Sequence, residues 1–187
     1  MNFNRIKNVV VVYGESGTGK TTTLCKLCES LLTKYPAQFV LRTKRAKQRF
    51  PPMPLTPKGH YRDVVCAVHC KDKFNNDIMI GIGTAGDDWD SVERNFMFFD
   101  NVFPQDEFAY VFIAIRKRKC KDELDIVSKS LPLMALERME VEGRLNVNRP
   151  FVNAPNPKGL AKSATKAAKT AFLASCATLA NQLEAKI

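Results

Sequence analysis

Residues 14–21 constrain the fold of this chain more than any other segment: three glycines, and then lysine and threonine, directly follow an apolar run at residues 9–13. The β-branched run predicts a buried strand of a parallel sheet. The leucine-bearing segment after the lysine predicts a helix that ends near Lys34, ahead of Pro36. A strand, a tight glycine loop and a helix in this order predict an α/β domain.

The composition of the loop indicates a phosphate-binding site. Glycines at positions 14, 17 and 19 let successive backbone N–H groups point inward at phosphate oxygens, and the positive end of the following helix adds to the field. Lys20 is expected to reach the terminal phosphates and the Thr21 hydroxyl to coordinate Mg²⁺. The predicted nucleotide contacts are Gly14, Glu15, Ser16, Gly17, Thr18, Gly19, Lys20, Thr21 and Thr22.

On these residues the chain resembles the P-loop NTPase superfamily, closely over about the first 35 residues and loosely to about residue 116. The resemblance implies a nucleotide site at residues 14–21 but does not identify a reaction. It also implies a three-layer α/β sandwich with a mostly parallel central sheet. The loop at Gly86-Asp87 and the strand end at Arg116-x-Arg118 are also similar to small single-domain bacterial and phage ATP-binding proteins.

The remaining pattern up to residue 145 predicts the rest of one nucleotide-binding domain. A basic and proline-rich insertion at residues 42–62 is too long for a simple connector and is a candidate substrate or partner lid. Two strands separated by a turn at Asn75-Asn76 predict an antiparallel hairpin. The expected strands are 38–41, 63–70, 77–84 and 108–115, and a helix with an apolar stripe is expected over 89–99.

The segment 146–187 is predicted to be a linker and a helix that pack on or beside the same domain. A short helix at 122–129 and a segment at 133–142, either strand or helix, precede it. Residues 146–157, with three prolines, predict an extended linker, and residues 158–187 an alanine-rich helix. The apolar stripe of this helix is Leu160, Ala164, Ala168, Phe172, Cys176, Leu179, Leu183 and Ile187, and its basic stripe is Lys158, Lys162, Lys166 and Lys169.

Cys25-x-x-Cys28 has the spacing of a metal or redox motif, but it falls within the helix that follows the glycine loop. Apolar neighbours repeat there with helical spacing, so we predict that both cysteines are core residues. No second ligand pair is evident in the sequence, and no structural metal site is predicted.

A magnesium site of this kind needs an acidic companion at the end of a neighbouring strand. Residues 83–86 resemble the Asp-Thr-Ala-Gly segment of GTPases, but Gly83 stands where their metal-associated aspartate lies. Asp87 and Asp88, slightly further along, are therefore the favoured catalytic candidates, and Asp87 is the favoured partner of Thr21 for Mg²⁺. The alternatives are that both aspartates cap a helix, or that residues 96–100 form a Walker B strand ending in Asp100.

Positive charge is unevenly spread along the chain, whose formal net charge is +10. Residues 42–49 and 116–121 hold five lysines or arginines each, a pattern that suggests a polyanion such as nucleic acid or substrate phosphates. Arg116 and Arg118 follow a buried strand, where arginines could stabilise charge on a transferring phosphate, and we count them with Lys20 as catalytic candidates.

Three functions remain open at this point. The favoured one is a Mg²⁺-dependent ATPase or ATP-driven switch that works with a partner protein, bound through residues 158–187, which could alternatively self-associate. The first alternative is a phosphotransferase of the nucleotide- or nucleoside-kinase type, and the second is a nucleic-acid-associated ATP-binding module. ATP is favoured over GTP because no guanine-reading Asn-Lys-x-Asp motif occurs. A cytoplasmic location without membrane binding is expected.

Overall fold

The computed structural model describes residues 5–14, 16–35, 39–43, 61–116, 151–153 and 165–187, without the side chains of residues 13, 39–43, 89 and 151–153. Helices separate the described strands into three groups along the chain, as expected of an α/β protein. The elements in chain order are β1 (Val9–Gly14), α1 (Lys20–Lys34), β2 (Phe39–Thr43), β3 (Val64–Lys71), β4 (Asp77–Gly83), α2 (Trp89–Val102), β5 (Phe108–Arg116), β6 (Phe151–Asn153) and α3 (Lys166–Glu184).

The six described strands form one sheet with the order β2-β3-β4-β5-β1-β6. Strands β4, β5, β1 and β6 pair in parallel, and β3 runs antiparallel to both of its neighbours. The predicted α/β class, the mostly parallel sheet and the antiparallel hairpin are therefore confirmed. The carboxyl ends of β1, β4 and β5 lie at one edge of this sheet, which we call the carboxyl edge. The antiparallel strand β3 begins at that same edge.

Strand β1 is buried on both faces, which explains its unbroken apolar sequence. Val10 and Val12 belong to the core under α1 and α3, whereas Val9 and Val11 belong to the core under α2. Helices thus cover both faces of the sheet, and each face of β1 meets apolar side chains.

Helix α1 packs its leucines onto the sheet and presents another part of its surface to α3. Cys25 and Cys28 are fully buried beside these leucines, which confirms that both are core residues. At the far end of the pair, the Glu184 carboxylate accepts hydrogen bonds from Ser30 and from Lys34. The apolar residues of this layer are Leu24, Leu27, Leu31, Cys176, Ala180, Leu183 and Ile187.

Helix α2 lies close to the sheet because glycines face it. A Cβ at Gly81 would lie 2.8 Å from the Phe99 ring, and one at Gly83 would lie 2.6 Å from the Asn95 side chain. Asn95 also donates from Nδ2 to the carbonyl of Ala85, at 2.8 Å. The end of β4 and the loop after it are therefore fitted to α2 with little room for a side chain.

The loop that follows β4 is held just as closely against β5. The Gly86 carbonyl accepts a hydrogen bond from the Arg116 amide at 2.8 Å, and a Cβ at Gly86 would lie 1.7 Å from the Ala114 carbonyl oxygen. The obstacle is backbone, which cannot turn aside as a side chain can. Only glycine fits this position without a shift of the loop or the strand.

Strands β3, β4 and β5 match the sequence-based prediction to within one residue at each end, whereas β2 and β6 differ from it more. Strand β2 covers Phe39–Thr43 rather than residues 38–41, so the first two residues assigned to the basic insertion are part of the sheet. Strand β6 lies within the predicted linker and pairs with β1. It is only three residues long and stands between prolines 150 and 155, so its sequence carries no strand periodicity.

The C-terminal helix also begins later than predicted, at Lys166, where Thr165 accepts a hydrogen bond from the Ala168 amide. Residues Thr165–Ala171 are exposed, including Ala168 of the predicted apolar stripe, whereas Cys176, Leu183 and Ile187 of that stripe are buried. The stripe is thus confirmed only in its second half, which packs against α1. Leu160, Ala164, Lys158 and Lys162 lie outside the described residues.

Several predicted segments cannot be compared with the structure. Most of the insertion at residues 42–62, the helix predicted at 122–129, the ambiguous segment at 133–142 and most of the linker lie outside the described residues. Among the helices that are described, none is long and apolar enough to span a bilayer.

The packing at Gly86 and Gly81 leads to a ranked prediction. We expect Gly86→Ala to lower the free energy of unfolding by more than Gly81→Ala does. The added methyl meets backbone at Gly86 but a rotatable ring at Gly81, where overpacking costs about 1–3 kcal/mol. Urea denaturation followed by circular dichroism measures both variants. A Gly86→Ala protein as stable as the wild type would contradict the close approach of the loop to β5.

Candidate nucleotide site

The glycine loop joins β1 to α1 at the carboxyl edge, since β1 ends at Gly14 and α1 begins at Lys20. Gly17 and Gly19 have φ angles of 76° and 100°, in the left-handed region where residues with a Cβ are strained. Gly19 is the residue that precedes α1, and no side-chain hydrogen bond caps the helix there. The sequence therefore uses glycine where the backbone requires it, and the turn directs the start of α1 toward the carboxyl edge. Glu15 lies outside the described residues.

Lys20 is the first residue of α1, and its side chain is largely buried, with 8% of its surface exposed. Its Nζ donates a hydrogen bond to the carbonyl oxygen of Gly14 at 3.0 Å. This hydrogen bond links the start of α1 to the end of β1, on either side of the glycine loop. A largely buried cation beside a glycine loop is suited to an anionic ligand.

Next along α1, Thr21 faces the carboxylate of Asp63, which was not among the predicted site residues. The Thr21 hydroxyl donates to Asp63 Oδ1 at 3.1 Å, and the Thr84 hydroxyl donates to the same oxygen at 3.3 Å. Thr84 is buried, and its hydroxyl accepts a hydrogen bond from the Val64 amide at 2.8 Å. One carboxylate oxygen is thus held between two hydroxyl groups beside the glycine loop.

The backbone ahead of Asp63 follows one face of α1. The Tyr61 hydroxyl donates to the Glu29 carboxylate at 3.0 Å, and the Cys25 thiol contacts the Arg62 carbonyl oxygen at 3.9 Å. Thr21, Cys25 and Glu29 are spaced four residues apart in α1 and therefore lie on one face of the helix. Burial, followed by the hydrogen bond to Glu29, raises the pKa of Tyr61, so its hydroxyl remains protonated and can donate.

The two aspartates that were expected to accompany the loop are engaged otherwise. The Asp88 carboxylate caps α2 by accepting a hydrogen bond from the Ser91 amide at 2.8 Å, as the helix-capping alternative predicts. Asp87 is largely exposed and forms an ion pair with Arg116, with 3.6 Å between Oδ1 and Nη1.

Arg116 itself lies where the sequence placed it, at the carboxyl edge. It pairs in register with Gly14, the first residue of the glycine loop. Arg118 lies outside the described residues. The competing Walker B interpretation of residues 96–100 is wrong, because these residues are in α2 and Asp100 forms an ion pair with Arg5, ahead of β1 and thus away from the carboxyl edge.

Helix α3 packs directly behind the glycine loop. A Cβ at Gly19 would lie 2.8 Å from Cys176 Sγ and 3.1 Å from the Phe172 ring. Burial raises the pKa of the Cys176 thiol, so it is protonated near neutral pH. The C-terminal helix, which was predicted to pack on or beside the domain, therefore forms one wall of the candidate site.

The oxygen atoms at this edge fit Mg²⁺ better than a metal that prefers nitrogen or sulfur ligands. Thr21 supplies a partly exposed hydroxyl, and Asp63 supplies a carboxylate beside it. Mg²⁺ typically takes one or two carboxylates, keeps several waters and uses substrate phosphates for the rest. Across the described residues no three histidine, cysteine, aspartate or glutamate side chains converge as a metal-binding group, so a metal here would depend on a bound phosphate.

Asp63 was missed because its role depends on strand direction. The sequence predicted a strand beginning at residue 63 and a hairpin with the next strand, and the start of β3 is therefore level with the end of β4. Combining these two predictions would have placed Asp63 at the carboxyl edge. An acid that precedes an antiparallel strand reaches the same edge as an acid that follows a parallel one, although their positions in the sequence differ.

The residues at this edge were compared with known proteins as part of the whole chain. Comparison of the chain with protein-family models, with curated proteins and with solved structures finds no significant match.

Proposed function

We propose that this chain is a Mg²⁺-dependent, ATP-binding P-loop NTPase, acting as an ATPase or as an ATP-driven switch with a partner protein. The observation that carries the proposal is the position of the Lys20 ammonium, buried in the glycine loop and bonded to the Gly14 carbonyl at 3.0 Å. The preference for ATP over GTP rests on the sequence, which lacks the guanine-reading motif.

The proposed binding mode uses groups that are already in place. The β- and γ-phosphates would lie against the backbone of the loop, where Lys20 can exchange its bond to Gly14 for a phosphate oxygen. Such an exchange retains a hydrogen-bonded charge throughout, so no buried cation is left unpaired. The Thr21 hydroxyl would hold Mg²⁺, which would supply positive charge to offset the charge of the phosphates.

Arg116 would supply a second positive charge at the same edge. Its backbone is fixed by the register with Gly14 and by the hydrogen bond to Gly86, while its side chain is held in an ion pair that is partly exposed. A partly exposed pair of this length contributes little to stability. The guanidinium can therefore leave Asp87 for a phosphate at low cost, which suits a residue that responds to a nucleotide.

The exposed first half of α3 is the observation that favours a partner protein in this proposal. The second half of the helix is buried against α1, so its apolar residues serve the chain's own fold. The first half carries Lys166 and Lys169 on an exposed surface, and Leu173 is 45% exposed. A partner would meet the exposed side of this half of the helix, close to Phe172, which contacts Gly19. The basic clusters at 42–49 and 116–121 lie mostly outside the described residues, so polyanion binding there stays a prediction.

Replacing Lys20 tests ATP binding directly. We expect Lys20→Ala to weaken ATP binding about 10- to 100-fold, since a charge-assisted hydrogen bond contributes about 1.5–3 kcal/mol. Isothermal titration calorimetry in the presence of Mg²⁺ measures the change. Lys26→Ala removes the same charge from a partly exposed position on α1 and is the matched control. Equal affinities for Lys20→Ala and the wild type would contradict the proposal.

Product analysis separates the ATPase from a phosphotransferase. We expect ATP labelled at the γ-phosphate, incubated with protein, Mg²⁺ and pooled nucleoside, nucleotide and other small acceptors, to release labelled inorganic phosphate slowly. Label on an acceptor would instead support the kinase alternative. Lys20→Ala protein prepared in parallel shows how much of the release belongs to a contaminating enzyme.

A further inference from the structure

We propose that Asp63 is the acidic residue that positions Thr21 for a Mg²⁺–nucleotide complex, in the place that Asp87 was expected to take. This inference rests on the proposed function. It differs from the expected arrangement in the origin of the acid. Asp63 precedes the antiparallel strand β3, whereas Asp87 and Asp88 follow the parallel strand β4.

The hydroxyl of Thr21 can serve both the cation and Asp63. A hydroxyl has one proton to donate and two lone pairs to share. The proton already lies between Thr21 Oγ1 and Asp63 Oδ1, which are 3.1 Å apart. A lone pair therefore remains on the side away from the carboxylate, where a cation bound to the phosphates can approach. The negative charge of Asp63 would also favour a cation at this short distance.

Asp63 is held in place from two directions. Along α1, the contacts of Tyr61 with Glu29 and of Arg62 with Cys25 fix the backbone that leads to Asp63. From the sheet, Thr84 donates to the carboxylate while its own amide donates to the Val64 carbonyl at 2.9 Å. A carboxylate fixed in this manner keeps its position beside Thr21, as a positioning residue must.

The competing aspartates lack this arrangement. The Asp88 carboxylate caps α2. If it turned toward a metal instead, the helix would lose its N-cap hydrogen bond. The Asp87 carboxylate is paired with Arg116, with 3.6 Å between Oδ1 and Nη1. Of these three aspartates, Asp63 is the one with a hydrogen bond to the hydroxyl that follows the loop lysine.

The test compares nucleotide affinity with and without the metal. A fluorescent ATP analogue is titrated into wild-type, Asp63→Asn and Asp87→Asn protein, in Mg²⁺ and in EDTA. Asparagine retains the size and one oxygen acceptor of aspartate but removes the charge. We expect Asp63→Asn to lose about 10- to 100-fold of the affinity gained from Mg²⁺, with its affinity in EDTA unchanged. Asp87→Asn should keep the full gain.

The outcomes distinguish failure of the role of Asp63 from failure of the proposed function. If the wild-type protein binds the analogue and Asp63→Asn keeps the full Mg²⁺ gain, the role of Asp63 is overturned and the proposed function stands. If the wild-type protein binds no nucleotide in either condition, both are overturned. Loss of the gain in Asp87→Asn alone would return the role to Asp87.

A measurement on the wild-type protein covers the case in which Asp63→Asn does not fold. Fe²⁺ replaces Mg²⁺ in the presence of ATP, and ascorbate with peroxide then cleaves the backbone next to the bound metal. Mass spectrometry of the fragments is expected to show cleavage near residue 21 and at residues 61–63. Cleavage near residues 21 and 87–88 without any at 61–63 would overturn the proposal.

Discussion

The parallel pairing of β1 with β5, and of β5 with β4, is the constraint on which the candidate site depends. It brings the ends of three strands to one edge, with Gly14 level with Arg116 and Gly83 level with Ile113. The antiparallel pairing of β3 with β4 then brings the start of β3 to that edge. Residues far apart in the chain, such as Thr21 and Asp63, meet because the register of the strands brings both to the carboxyl edge.

Close backbone packing keeps that edge in register. Residues 81–86 have the spacing Gly-x-Gly-x-x-Gly, which is typical of dinucleotide-binding loops when it follows a strand and opens a helix. Here each glycine has a packing reason instead: the Phe99 ring, the Asn95 side chain and the Ala114 carbonyl occupy the space that a Cβ would need. The pattern thus marks where α2 and β5 approach the chain, and a motif of three glycines alone does not identify a phosphate site.

Most of the elements that the structure describes could be predicted from the sequence, because its strongest patterns are local. The valines of β1, the glycines of the loop and the leucines of α1 each determine the conformation of a few neighbouring residues, and they form the elements expected. Strand β6 escaped prediction since three residues carry no periodicity. Asp63 escaped it since its contact with Thr21 spans 42 positions and depends on strand direction. The sequence alone could not distinguish a capping Asp88 from a metal-associated one, since both roles need an aspartate shortly after β4.

Gly19 is subject to two independent requirements, and this limits how the C-terminal helix can change. Its φ angle of 100° excludes most residues, and Cys176 and Phe172 fill the space beside it. Smaller residues at 172 and 176 would remove the steric requirement but leave the conformational one. Larger residues at 176 would press on the backbone of the loop itself. Sequence drift in α3 is therefore restricted by the loop, and homologous chains should vary more freely at the exposed positions 173–175 than at 172 and 176.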